Sequence, residues 1–586
     1  MADALQPLSP PRAASAAAFG GRWLRLLPLV TLLLFLGPIA AGLIGTWLPA
    51  FGYLPALGGQ SLGLQPWRDL LAYPGLATNL QLTLVSGLLS SLAAFLLAIG
   101  FVATCHDTPL FARVRRLLAP LLALPHVALA IGLAFLIAPS GWLARLVSPW
   151  LTGWTRPPDV AIVQDPNGLA LALGLALKEL PFLLLMILGA MGQSRAPQRL
   201  AVARSLGYGP AMAWIKTVLP AIYPQIRLPV YAVLAYSLSV VDMAMILAPA
   251  TPPPLAVLVF RWFQDPDLGF RFLGAAGATA QLLLVAGAIG LWYLGERLVT
   301  LFGRRWLFAG GRGQGGTRRR HRLQGGVAAL VIGSIVLSLA TMLGLAVWSV
   351  TRRWRYPDAL PETWSLDNWM RQSENLIWTG GTTLVLGIAA AGLALALVLG
   401  CLENEKRHGL HPTSRALWLL YLPLLVPQVA FLFGAQVVAV WFGIDGGWLA
   451  LIWSHLLFVL PYVFLALAEP FRALDERYLR SALCLGASPG RAFWTVKVPM
   501  LLRPILFALG VGFAVSVAQY LPTLFAGSGR FVTLTTEAVS LSIGGDRRVI
   551  AVYAFLQAAL PLLAFGLALL IPAWLFRHRK DMKVAG

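Results

Sequence analysis

Charge is scarce in this chain, and acidic charge scarcest. Only 12% of the 586 residues are charged, with 23 Asp and Glu against 45 Lys and Arg. A soluble domain is about a quarter charged, so a soluble globular protein is excluded. Cysteine is nearly absent. Cys105, Cys401 and Cys484 stand far apart and form no CxxC pair, which supports neither a disulfide framework nor a zinc cluster. Lysine is rare as well. The six lysines follow Leu, Ile, Glu, Val, Arg and Met, never Gly, so the Gly-Lys-Ser/Thr of a phosphate-cradling loop is missing. No Ser-His-Asp set, paired carboxylate or Gly-rich phosphate loop suggests an enzyme acting on a bound substrate.

What is present is apolar: 58% of residues are hydrophobic and mean hydropathy is +0.75. A membrane span needs about 20 such residues. Twelve stretches qualify: 24–48, 79–103, 117–138, 168–192, 226–248, 273–301, 326–349, 378–402, 415–441, 447–468, 504–526 and 550–576. The fold class is therefore an all-α polytopic membrane protein. The first stretch follows Arg12, Arg22 and Arg25, but it is too long for a signal-peptide core and no cleavage site follows closely, so it reads as a span. Of the 45 Lys and Arg, 29 fall in one alternate set of loops and 12 in the other. That bias puts both termini in the cytoplasm. The basic surplus is thus topological, its partner the lipid bilayer with anionic headgroups, and nucleic acid is not expected.

The chain also repeats itself. "TLVSG" (83–87) matches "TLVLG" (383–387), "PHVALAIG" (125–132) matches "PQVAFLFG" (427–434), and "LPFLLL" (180–185) matches "LPYVFL" (460–465). The spacing shortens after the second pair because the outer loop 139–167 has only a very short counterpart near 442–446. Two six-helix halves follow, 1–302 and 326–586, joined by a Gly- and Arg-rich segment 303–325 expected to be a flexible cytoplasmic linker.

The most specific repeat is polar and cytoplasmic. "LGYGPAMAWIKTVLP" (206–220) aligns without a gap on "LGASPGRAFWTVKVP" (485–499). Each reads as a short helix, a Gly corner at Gly207 or Gly486, and a second short helix opened by Pro210 or Pro489. Trp214, Val218 and Leu219, or Phe493, Val496 and Val498, would give that second helix an apolar side beside Lys216, or beside Arg491 and Lys497. At these residues the chain resembles the permease subunits of bacterial ABC importers, whose cytoplasmic "EAA" loop has an E-A-A-x-x-x-G core, a later aromatic and an L-P ending. The resemblance covers nearly the whole chain as two type I permease halves. It implies ATPase-coupling loops at about 198–224 and 475–504. Their residues are Ala203, Leu206, Gly207, Pro210, Trp214 and Pro220, and Ala482, Leu485, Gly486, Pro489, Phe493 and Pro499. The family's Glu is missing: Ala201 and Arg480 stand in its place. The resemblance further implies two copies of a cytoplasmic ATPase that carries the ATP-Mg, no cofactor on this chain, and a periplasmic solute-binding protein at a bacterial inner membrane. The stretch 516–561 looks like the fused permeases grouped with thiamine and ferric-iron importers. A secondary transporter of the major facilitator type is the alternative, since it too has twelve helices in two parallel halves.

Ionisable or polar groups inside spans are expensive and mark pathway positions by default. Lys178 and Glu179 sit mid-span, and Asp242 sits late in the fifth span, aligned with Leu521 beside Gln519 and Tyr520. Asp242 is the carboxylate expected to face a cationic cargo. His126 and Gln428 occupy matched positions after a proline. His455 reads as a satisfied interior histidine. His408, His411 and Glu405 share a loop without a complete ligand set, so no metal site is assigned.

Overall fold

The computed structural model describes residues 21–313, 317–410 and 414–577. Ten helices are long and apolar enough to cross a membrane, and counting each of two bent pairs as one span gives twelve. The first half contains α1 (Gly21–Ala50), α2 (Leu76–Cys105), α3 (Pro109–Ala123), α4 (His126–Ile137), α5 (Leu169–Gln193), α6 (Ala196–Ser205), α7 (Pro210–Ala213), α8 (Leu219–Ser239), α9 (Asp242–Leu247), α10 (Leu255–Gln264) and α11 (Phe270–Phe308). The second contains α12 (Thr317–Ser349), α13 (Ser373–Arg407), α14 (Ser414–Leu425), α15 (Gln428–Trp441), α16 (Trp448–Ala473), α17 (Arg477–Cys484), α18 (Pro489–Ala492), α19 (Leu502–Val517), α20 (Leu521–Gly527), α21 (Leu534–Ser542) and α22 (Arg547–Leu575).

The sequence repeat is a structural one. In each half the second long helix packs on the fifth-element helix and on the helix leaving the coupling loop: α2 on α5 and α8, α13 on α16 and α19. The repeated "TLV" threonines do the same job twice. Thr83 Oγ1 accepts the Leu255 N–H at 2.9 Å and donates to the Asn79 carbonyl; Thr383 Oγ1 accepts the Leu534 N–H at 3.0 Å and donates to the Thr379 carbonyl. Each partners an N–H that the first turn of α10 or α21 leaves without an intrahelical acceptor.

The first helices cross over. α1 packs chiefly on α15 of the other half, and α12 on α4 of the first. The repeated glycines permit this approach. A Cβ on Gly434 would lie 2.0 Å from the Gly42 carbonyl oxygen, and one on Gly132 would lie 2.7 Å from Thr341 Cβ. Small residues at helix contacts let backbones meet closely in a bilayer.

Several expected rods are broken. The sequence predicts single spans over 117–138 and 415–441, but helix stops before Pro125 and Pro427, and α14 and α15 bend by 94°. Leu124 is extended, as the residue before a proline tends to be. The span expected over 226–248 ends at Ser239; Val240 is extended, and Asp242 begins the short α9 instead of riding the span. The stretch 504–526 splits likewise into α19 and α20, and the chain bends by 75° where α19 begins.

The expected flexible linker is also shorter and more ordered. α11 continues to Phe308 and α12 begins at Thr317. The Arg312 carbonyl accepts the Gly209 N–H at 2.9 Å, tying the linker to the first coupling turn.

Candidate coupling loops and translocation site

Both repeated loops turn by the same backbone chemistry. α6 ends at Gly207, with φ +83°, and α17 at Gly486, with φ +86°. In each, the residue after the glycine donates back six-to-one: Tyr208 N–H to the Ala203 carbonyl, Ala487 N–H to the Ala482 carbonyl, both 3.1 Å. This is the Schellman closure, which needs a left-handed residue at the corner. Pro210 and Pro489 then open α7 and α18 at a position where no N–H is required. Ser488 caps the second, accepting the Arg491 N–H; Gly209 has no side chain to cap the first, and its own N–H donates to the Arg312 carbonyl of the linker.

The aromatic and the terminal proline have a shared cause. Trp214–Val218 and Phe493–Lys497 are matched π turns. Pro220 and Pro499 lack an N–H for the usual bond four residues back, and their rings crowd that carbonyl. The preceding residues donate one position further back: Leu219 N–H to Trp214, Val498 N–H to Phe493. π turns of this kind recur at functional sites.

The loops expose apolar corners. Leu206 is 58% exposed and Leu485 88%. A cleft of about 490 Å³ beside Leu485 is lined by Arg477, Arg480, Ser481 and Cys484, and one of about 540 Å³ beside Leu206 by Tyr208, Gly310 and Arg312. The lysines do not flank these surfaces as expected. Lys216 and Lys497 are both buried. Lys216 reaches the Trp306 and Leu307 carbonyls at the end of α11, 3.3 and 3.5 Å away, where a cation meets unbonded carbonyls. Lys497 Nζ lies 2.6 Å from Glu403 Oε2 and 4.0 Å from the Phe471 ring centroid.

Carboxylates outside the family's Glu position pair with basic residues around both loops. In the second half Glu403, which also holds Arg407, meets Lys497; Glu405 binds Arg472 by two bonds of 2.7 and 2.9 Å; Glu476 pairs with Lys406 at 3.0 Å. The Lys406 hydrogen bond, then its charge, holds the Glu476 carboxyl below the usual range. In the first half Arg204 pairs with Asp107 and His106. The sequence singles out Glu405 only as a neighbour of His408 and His411 and does not single out Glu403, although an acidic pair at 403 and 405 in so acid-poor a chain is a usable signal. His408 accepts from Arg25 at 3.0 Å, while its other ring nitrogen faces the Asn404 carbonyl; His411 lies outside the described residues.

Inside the bundle the expected pathway residues divide. Lys178 is held by main-chain carbonyls. Its ammonium bonds the Leu122 and Leu124 carbonyls, which the break before Pro125 leaves open. Glu179 is 6% exposed and has no hydrogen bond or ion pair among the described residues. Asp242 accepts the Met243 N–H at 2.9 Å and keeps partial solvent access. Tyr520, half a molecule away in sequence, reaches Met245 Sδ at 3.7 Å. His126 and Gln428 each begin a helix after a break, and the His126 ring lies 4.8 Å from that of Tyr236. Gln519 is buried at the end of α19, its carbonyl accepting from Thr523. His455 is fully engaged, with ring nitrogens 2.8 Å from Ser516 Oγ and 3.0 Å from Thr523 Oγ1.

Two paired helix–glycine–helix loops and a twofold-repeated, broken-helix bundle define a membrane transport permease. The chain belongs to the inner-membrane permease family of binding-protein-dependent ABC transporters. The family described as "Binding-protein-dependent transport system inner membrane component" matches residues 416–579. The Escherichia coli inner membrane ABC transporter permease protein YnjC is 34% identical over 525 residues, 89% of this chain and 93% of that protein. The E. coli thiamine transport system permease protein ThiP is 24% identical over 479 residues, covering 80% of this chain and 83% of ThiP. The molybdenum transport system permease protein ModB of Mycobacterium bovis is 31% identical over 157 residues, 25% of this chain and 57% of ModB. The protein is therefore a multi-pass inner-membrane ABC importer permease. Family membership sets aside the facilitator alternative.

Proposed function

We propose that residues 1–302 and 326–586 are the two permease halves of one importer, and that each presents one coupling loop to one of two identical cytoplasmic ATPase copies. Both termini lie on that side. ATP-Mg is bound by the ATPases, and a periplasmic binding protein delivers solute to the outer face. ATP-driven approach of the ATPases draws the Gly207 and Gly486 corners together and rocks the halves, opening the central site alternately to each side. The cargo is thiamine-like or ferric iron, as in the importers that the last third of the chain resembles.

One observation carries this reading: the two matched Schellman corners, Gly207 and Gly486, each with an exposed Leu and an adjoining cleft. The experiment is Gly486→Val. A Cβ there meets no atom within 4 Å, so the substitution acts only on the left-handed backbone. Forcing a β-branched residue into that region costs about 1–2 kcal/mol. We expect weakened association with the ATPase and loss of coupled uptake. Unchanged uptake would overturn the assignment.

A further inference from the structure

The two coupling corners reach the same surface chemistry by different routes. At the second, the cleft beside Leu485 takes its basic lining, Arg477 and Arg480, from the loop's own helix α17. The positions of the first loop that match these two are Gln198 and Ala201, which carry no charge. Yet the cleft beside Leu206 is also lined by an arginine. It is Arg312, which belongs to the linker between the halves.

Three contacts fix the linker there. Lys216, on the first π turn, bonds the Trp306 and Leu307 carbonyls and lies 4.7 Å from the Trp306 ring centroid. The Gly209 N–H, at the entrance to α7, bonds the Arg312 carbonyl. Gly313 then packs so closely on α7 that a Cβ there would lie 2.9 Å from Met212 Cβ, and its φ of +64° also favours glycine. These contacts set the path of the linker through its backbone and leave the Arg312 side chain exposed. Arg480 is exposed as well. Neither guanidinium has a hydrogen bond or ion pair among the described residues, and Glu476, one turn before Arg480, is bonded to Lys406.

We propose that the linker forms part of the first ATPase-docking surface, that Arg312 stands in there for Arg480, and that both guanidiniums bind carboxylates on the ATPase. The proposal rests on the permease reading above and deepens it by naming the chemistry of the partner's surface. Two identical ATPase copies present one and the same face, so the two corners must offer it equivalent groups. Each corner offers an exposed leucine beside a guanidinium without an ion pair, which suits an apolar pocket bordered by Asp or Glu. A guanidinium can hold a carboxylate by two parallel N–H···O bonds, so the contact orients the ATPase as well as attracting it. Anionic lipid could also neutralise an arginine, but lipid does not require matched leucine–arginine pairs at two repeated corners. A mere tether between halves needs no fixed path. This one is seated on the first loop.

The test uses the full-length chain in nanodiscs and the ATPase that co-purifies with it from native membranes, identified by mass spectrometry and then purified alone. Native mass spectrometry counts the copies bound. We expect two sites on the wild-type chain. Arg312→Glu and Arg480→Glu should each weaken one site about 10-fold, and the double variant both. In each single variant the untouched corner serves as an internal control of folding. In Arg312→Lys and Arg480→Lys chains, a zero-length carbodiimide should join the new amine to an Asp or Glu of the ATPase. Two full-affinity sites in either Glu variant would overturn the proposal. So would equal weakening in Arg304→Glu, an exposed arginine of α11 that lines neither cleft. Cross-links to lipid alone, or to no ATPase carboxylate, would overturn it too. If no ATPase binds the wild-type chain, the permease reading itself fails and takes this proposal with it.

Discussion

The Lys497 ammonium and the Glu403 carboxylate lie 2.6 Å apart, one on the π turn of the second repeated loop and the other near the C-terminal end of α13. Both side chains are shielded, Lys497 to 3% and Glu403 to 12% exposure. Removing one partner of a buried pair costs on the order of 3–5 kcal/mol, because the remaining charge stays buried. Glu403→Gln should therefore lower the unfolding temperature of the solubilised protein and loosen the second loop. Adding Lys497→Met should recover much of that loss. A double variant as unstable as the single one would show that the pair is not the source.

The crossover of α1 onto α15 sets a second expectation. At Gly434 a methyl group would collide with the Gly42 carbonyl, and at Gly42 with the Phe431 carbonyl 2.3 Å away. Overpacking of this kind costs about 1–3 kcal/mol when neighbours can shift, and two helix backbones shift poorly. Gly434→Ala should destabilise the protein more than Gly189→Ala, where a Cβ meets nothing within 4 Å. Thermal unfolding of the two variants side by side decides this.

The Lys178 ammonium bonds the Leu122 and Leu124 carbonyls. Its loss should leave two buried carbonyls unbonded at the end of α3, at about 1–3 kcal/mol for each unsatisfied group. Lys178→Met should reduce stability, and Lys178→Arg, which keeps donors, should recover part of it. A Met variant as stable as the parent would put Lys178 back among the residues facing the solute.

The Lys406–Glu476 contact should respond to acid. The folded carboxyl titrates below the usual Glu value because Lys406 bonds it. Its contribution is therefore complete above that usual value and is lost as pH falls through the lower, folded one. Hydrogen exchange at residues 474–484 should accelerate as pH drops below about 4, after correction for intrinsic rates, and should not do so in Glu476→Gln, which lacks the ionised form throughout. The side chain is half exposed, so the effect is local.

Much of this architecture was legible because membranes simplify the problem. Twelve apolar stretches mark the ten long apolar helices and two bent pairs of the described residues, and the repeated threonines, glycines and prolines of the two halves hold matched hydrogen bonds and turns. What stayed hidden was where apolar helix stops. Pro125 and Pro427 carried the signal, yet hydropathy runs straight through them. Reading Asp242 as part of a span followed from the same blindness, since Val240 is as apolar as the helix it ends. The anchoring role of Glu403 and Glu405 is not legible in the sequence because their partners Lys497 and Arg472 are distant along the chain. Tyr462 looks like an ordinary member of an apolar run; only packing of one half on the other brings it within electrostatic reach of Glu179. The crossing of α1 and α12 leaves no local mark beyond a repeated glycine.

That crossing bears on how the protein is made. α1 leaves the ribosome first, but the surface it fits lies on α15, in the other half. At translation rates of about 5–20 residues per second, the wait is on the order of tens of seconds. Until then its glycine face can meet only lipid or whatever escorts nascent membrane segments. α1 thus waits for α15 to complete its seat, and the bundle closes around it only as the second half is threaded in.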